Sequence, residues 1–178
     1  MRARTLVLLF ATGLVGVSAA VASVNGNWST HLKGSLEVPI RDTQGQGQAI
    51  FQLSKDGTSV DYKLIASNID NVFMAHIHRE VPGANGPIVV WLYPSTTPQN
   101  PATLPKGTGR TDGVLVEGTF TDADVLDLPG GVPYSLTQLL ADMESGRAYA
   151  NIHTDDGVAP PNTGPGDFPG GEIRGDIR

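Results

Sequence analysis

The sequence predicts an all-β domain, an antiparallel Greek-key β-sandwich with one short helix in a crossover. Three observations lead there. Short runs alternate apolar with polar residues; 22 glycines and 13 prolines punctuate them; and a single segment has helical spacing. With 178 residues the chain is long enough for one domain with a real core.

The elements follow in order. After a short polar lead-in, Asn25 to Thr30, the run Leu32-Lys33-Gly34-Ser35-Leu36-Glu37-Val38-Pro39 reads as a first strand ended by proline. Gly45-Gln46-Gly47-Gln48 opens a second, in which Ala49, Phe51 and Leu53 alternate, and Lys55-Asp56-Gly57 is a tight hairpin signal. Val60, Tyr62, Leu64 and Ala66 give the clearest period of two. Asn68 to Asp70 turns into a strand over about Val72–His78, and Ile88 to Tyr93 forms a buried strand. Pro94 to Gly109 reads as a surface loop, Gly113 to Phe120 as a strand, and the acids after Thr121 as a turn or single helical turn. Ser135 with Gln138 is a capping box, and Leu136, Leu139, Leu140 and Met143 follow at helical spacing until Gly146, which predicts a helix over about 136–145. A strand Ala148 to His153, a Pro/Gly-rich loop over 155–171 and a last strand Glu172 to Arg178 close the chain.

The N-terminus reads differently. Arg2 and Arg4 form a positive region, Leu6 to Val17 an apolar one, and Ala20-Val21-Ala22 an A-x-A site. This is the pattern of a secretory signal peptide, residues 1–22, cleaved after Ala22 with Ala19 or Ala20 as alternatives, leaving 23–178 as the domain. The expected location is secreted or periplasmic, without a membrane partner after cleavage. Cleavage leaves 10 Lys+Arg against 18 Asp+Glu, an acidic surface that repels phosphate backbones and argues against nucleic acid as a partner. The sequence has no cysteine, which excludes disulfides, thiolate metal sites and a lipoprotein attachment site.

The chemistry gathers at Met74-Ala75-His76-Ile77-His78, which holds two of the four histidines. On a strand, Met74, His76 and His78 share one face, and imidazoles one pleat apart have Cβ atoms ~6.6–7 Å apart, close enough to converge on one ion. Tyr149-Ala150-Asn151-Ile152-His153 has the same alternation and puts Tyr149, Asn151 and His153 on one face. The loops 79–87 and 155–171 directly follow these two sets, so both can shape one cavity at a sandwich end. His76, His78 and His153 are therefore the candidate metal ligands. Imidazole-only sites suit copper, with zinc as the alternative. Alone, an H-x-H pair is more often ordinary surface or core histidine. Met74 is a candidate axial ligand or a core methionine; His31 is a candidate fourth ligand or an exposed histidine. Glu80 and Glu172 are candidate partners for an imidazole N–H, or else a solvated loop acid and a cross-strand ion pair, with Arg174 beside the latter. Asp155, Asp156 and Asp167 invite a calcium reading, but their spacing fits no EF-hand and reads as solvated loop acids. There is no Gly-x-Ser-x-Gly elbow, phosphate loop or H-E-x-x-H.

At these residues the chain resembles the CHRD domain family, named for the repeated domain of chordin. The resemblance rests on Leu32-Lys33-Gly34-Ser35-Leu36-Glu37-Val38-Pro39, Ala75-His76-Ile77-His78, Asn85-Gly86-Pro87-Ile88-Val89, Gly146 to Thr154 and Gly170-Gly171-Glu172-Ile173-Arg174-Gly175. They come in the family's order and span about 32–178. The resemblance supplies a domain more than a function: chordin's copies belong to a protein that binds growth factors. The His76-Ile77-His78 strand is also similar to the copper strand of Cu/Zn superoxide dismutases, so the sandwich is expected to be immunoglobulin-like or of that enzyme's type. That enzyme uses further histidines, a zinc subsite and a disulfide; beyond the pair this chain offers only His153 and His31, and it has no cysteine.

Three readings stand against one another: an exported metal-binding protein that carries, buffers or senses copper; a copper-dependent dismutase-like enzyme; and a protein-interaction module whose histidines form a structural cluster with Asn151, Glu172 and Arg174. Catalysis is the least supported of them. A shared site requires the imidazole nitrogens to lie within roughly 3–4 Å of one another, given ion distances of ~2.0–2.1 Å.

Overall fold

A computed structural model describes residues 26–178. The signal-peptide expectation for residues 1–22 lies outside them. Eight strands make one antiparallel sheet. They are β1 (Asn27–Lys33), β2 (Gln46–Leu53), β3 (Ser59–Asp70), β4 (Val72–Arg79), β5 (Ile88–Tyr93), β6 (Arg110–Thr121), β7 (Ala148–Thr154) and β8 (Ile173–Asp176), with helix α1 (Leu136–Glu144) between β6 and β7. The order across the sheet is β5-β4-β7-β8-β1-β2-β3-β6.

Chain order and sheet order conflict at one point, and that conflict shapes the molecule. Only Asn71 separates β3 from β4, yet four other strands lie between them in the ladder. The chain therefore turns a corner at Asn71, in the left-handed region at φ 57°, a conformation that asparagine tolerates. The β5-β4-β7-β8 half folds over the β1-β2-β3-β6 half. A single register pair, Lys33 with Arg174, joins β8 to β1. The edges β5 and β6 approach each other without a ladder, so the layers form a nearly closed barrel.

Apolar side chains fill the interior, among them Leu32, Phe51, Leu64, Ile77, Ile152 and Ile173, all 1% exposed or less. The helix seals one end with Leu136, Leu139, Leu140 and Met143. Its Ser135–Gln138 capping box is formed as the sequence predicts, which satisfies orphan N–H groups of the first turn. The one-helix, all-β expectation holds.

Two local expectations need correction. The first strand is Asn27–Lys33, not Leu32–Pro39. Trp28, Thr30 and Leu32 alternate inward there, and the polar residues read as a lead-in are its solvent face. After Lys33 the chain makes a 3₁₀ turn, Gly34–Leu36, and Glu37 to Thr43 runs as a loop across the sheet. Strand β6 starts three residues earlier than the sequence predicts.

β4 and β7 are buried almost throughout. Ala75, Ile77, Ala148, Ala150 and Ile152 face the interior. The other face of these strands carries polar side chains and is covered by the loops after β1, β4 and β7. That second, buried layer holds the site.

Candidate metal centre

β4 and β7 are neighbours, and their register sets the site: Met74 stands opposite His153, His76 opposite Asn151 and His78 opposite Tyr149. His153 is thus the diagonal neighbour of His76, within reach of a ring across the ladder. The structure brings His76, His78 and His153 together. One nitrogen from each lies within 4.8 Å of the others, and His76 Nδ1 is 3.1 Å from His153 Nε2.

Two backbone carbonyls orient the rings. His153 donates Nδ1–H to Pro169 O at 2.9 Å, and His78 donates Nδ1–H to Gly86 O at 2.9 Å. With one proton per neutral ring, both Nε2 atoms keep a free lone pair. Gly86 has to be glycine, because a Cβ there would collide with the Arg79 carbonyl and lie 2.7 Å from Glu80 Cβ. The Nε2 atoms of His76 and His78 are buried without a hydrogen-bond partner among the described residues.

The rings are neutral. Burial, then repulsion from the His153 and His78 rings, holds the His76 pKa far below the usual range. Burial, assisted by Arg174, pushes His78 down to about 4 despite the Gly86 bond that opposes it. His153 falls to about 3 through burial and then His78, with the Pro169 bond opposing. Neutral imidazole is the ligating form, so three lone-pair donors stand ready at neutral pH.

Two donors 2.0–2.1 Å from one ion and 3.1 Å apart subtend about 95–100°, between tetrahedral and square-planar angles. Two nitrogens on one ion stand at most ~4.2 Å apart, so a group that lies within 4.8 Å needs to close by no more than ~0.6 Å, which is within side-chain adjustment. The His76–His153 separation meets the roughly 3–4 Å expected of a shared site, and the whole group stays within 4.8 Å.

The surroundings are aromatic and charged. Trp91 packs against His76, ring centres 4.1 Å apart at 83°, and Tyr149 stacks on His78 at 4.8 Å and 5°. Arg174, on the strand beyond Tyr149, lies 3.4 Å over that ring and is fully buried. It donates Nη1–H to Ala84 O and Asn85 Oδ1, and its Nη2 lies 3.5 Å from Asp176 without hydrogen-bond geometry. Asn151 places Oδ1 3.0 Å from His153 Nε2. Burial raises the Glu37 carboxyl to about 7, opposed by Arg174 and by bonds that include one from the Asn151 side chain.

The other candidates fall elsewhere. His31 is exposed on β1. Met74 belongs to an apolar cluster with Phe73 and Trp91. Glu80 bonds the N–H of its neighbour Val81. Glu172 is fully buried but, among the described residues, orients no imidazole and makes no ion pair; it accepts from Thr43 and Thr154 hydroxyls at 2.5 Å each and from Gly166 N–H at 2.8 Å. Asp155, Asp156 and Asp167 do cluster within 4.8 Å. Asp155 is paired with Lys106 and Asp167 accepts from Thr163. Asp155 and Asp167 are buried, so only Asp156 fits the solvated-acid reading. Sequence reasoning missed Glu37 and Trp91. The apolar run of β5 was legible as a buried strand, but not the pairing of Trp91 with His76.

A family model described as CHRD domain matches residues 28–177. No curated protein and no solved structure matches the chain, so the likeness of the H-x-H strand to Cu/Zn superoxide dismutase is not borne out.

Proposed function

The chain belongs to the CHRD domain family, and from that premise we propose that it is an exported metal-binding protein that holds copper, with zinc as the competing ion, through His76, His78 and His153. Its role on this reading is that of a carrier, buffer or sensor. The observation that carries it is the pair of carbonyls, Pro169 O and Gly86 O, that take up the Nδ1–H groups and leave two Nε2 lone pairs buried near the His76 ring. Among the described residues His78 Nε2 has no hydrogen-bond partner; an unpartnered buried acceptor costs roughly 1–3 kcal/mol, a cost that a bound ion would relieve. Imidazole donors without thiolate suit Cu(II) or Zn(II). Export rests on the N-terminal pattern of residues 1–22.

One observation favours a second reading. The 3.1 Å His76–His153 contact is also a sound imidazole–imidazole hydrogen bond. On that reading the histidines are structural and the domain binds a protein partner elsewhere. Calorimetric titration of residues 23–178 with Cu(II) and Zn(II), beside His76→Ala/His153→Ala and the milder His78→Gln, separates the two. Stoichiometric sub-micromolar binding, lost in the variants, supports the metal site. No binding by the folded wild-type domain overturns it. Mass analysis of the exported protein tests cleavage after Ala22.

A further inference from the structure

Resting on that metal-site reading, we propose that Asn151 Oδ1 is the fourth ligand, which makes the site a closed set of three imidazole nitrogens and one amide oxygen. Asn151 is 3% exposed and stands between Tyr149 and His153 on the same face of β7, directly opposite His76. Its amide has two ends, and its neighbours tell them apart. The Nδ2 end lies on the Glu37 side: the Asn151 side chain bonds the Glu37 carboxyl, and Asn151 Nδ2 and Glu37 Oε1 lie 3.0 and 2.5 Å from where a Gly171 Cβ would stand. A carboxyl there selects the N–H end of the amide, which leaves Oδ1 facing the histidines.

Oδ1 then meets His153 Nε2 at 3.0 Å. The ring proton of His153 is on Nδ1, bonded to Pro169, so two lone pairs face each other. His76 Nδ1 is the third atom of this group, 3.1 Å from the same Nε2. One His76 proton can serve one of these acceptors and leaves the other facing it without a donor. A cation serves all of them together. Separations of 3.0 and 3.1 Å correspond to angles of about 90–100° between donors 2.0–2.2 Å from a common ion.

The consequence concerns function. Catalytic metal sites keep a position open for water or substrate, whereas four-coordinate closed sites do not. With Asn151 bound, nothing is left for turnover, and the site holds or hands over its ion.

Co(II) is the probe for the test, because its visible bands report coordination number. The wild-type protein should show intense four-coordinate bands that azide does not alter. Asn151→Ala should bind at least about tenfold more weakly, with bands that shift when azide enters the vacated position. Asn151→Asp, which restores an oxygen, should recover the affinity and the azide resistance. Near-UV circular dichroism of each variant checks the fold. The proposal is overturned if Asn151→Ala keeps the wild-type affinity, spectrum and indifference to azide, or if azide perturbs the wild-type bands. In both cases the three-histidine site itself survives. A folded wild-type protein that takes up no Co(II), Cu(II) or Zn(II) overturns the metal site together with this ligand.

Discussion

His153 donates its Nδ1–H to the carbonyl of Pro169, 2.9 Å away, so the loop after β7 decides which nitrogen of His153 is free. Glu172 anchors that loop: it ties Gly166 N–H and the Thr154 hydroxyl to one carboxylate oxygen and the Thr43 hydroxyl to the other. Glu172→Gln replaces one acceptor oxygen by a donor group facing donors. It should cost about 2–3 kcal/mol in urea unfolding and raise amide exchange across residues 155–171. Metal affinity should fall with it. A variant with wild-type exchange in this loop would show that Glu172 does not hold it.

Arg174 is a guanidinium with no exposed surface, packed on the Tyr149 ring that itself stacks on His78. Its Nη1–H groups hold Ala84 O and Asn85 Oδ1, in the same loop that presents Gly86 O to His78. Arg174→Met keeps most of the volume but removes the charge and these donors. The expected loss is about 3–4 kcal/mol, read from the urea midpoint. Arg174→Lys should recover little, because an ammonium cannot lie flat on the ring and reach both acceptors. Full recovery by Lys would mean that charge alone matters.

The alternation in 74–78 and 149–153 reveals each half of the site, because the side-chain period of a strand is a local property. The meeting of the halves is not local. That β4 pairs with β7, with Met74 opposite His153, depends on a connection of about 70 residues and on the corner at Asn71, neither of which has a signature in the run of side chains. Glu37 shows the same limit. As part of a strand it would be one more alternating position; as part of a loop crossing β8 it becomes a buried carboxyl beside Asn151. The strand Asn27–Lys33 was hidden by its polar outer face, since polar residues on one side of a strand resemble a loop when the inward ones are few.

Acid should destabilise the metal-free protein. The folded pKa values of His78 and His153, about 4 and about 3, lie below the unfolded value of 6.5, and His76 lies lower still. Between these limits the unfolded chain binds more protons, so stability is full above 6.5 and is lost as pH falls. Each proton contributes a slope of about 1.4 kcal/mol per pH unit. Glu37 acts oppositely: raised from 4.5 to about 7, it binds its proton more readily when folded, and its contribution is lost as pH rises through that range. Three histidines outweigh one carboxyl, so urea unfolding should show a net loss of stability from pH 6.5 towards 4.5. His78→Gln should flatten the profile. A level profile over that range would mean that the rings are not held neutral by burial.

Trp91 lies against His76 with ring centres 4.1 Å apart, whereas Trp28, the second of the chain's two tryptophans, belongs to the interior cluster and bonds Glu144. A Cu(II) ion held by His76 would lie within a few ångströms of the Trp91 ring and quench its emission by electron or energy transfer. Zn(II), with its filled d shell, would bind without that quenching. Titration with Cu(II) should therefore remove a large part of the tryptophan emission at one equivalent, and Zn(II) should not. Trp91→Phe should bind Cu(II) with affinity within about tenfold of wild type, since an edge-on ring contact is worth roughly 0.5–1.5 kcal/mol, yet show little quenching. The two readouts are independent. Unchanged quenching in Trp91→Phe would put the copper near Trp28 and away from the histidines, even if calorimetry showed tight binding.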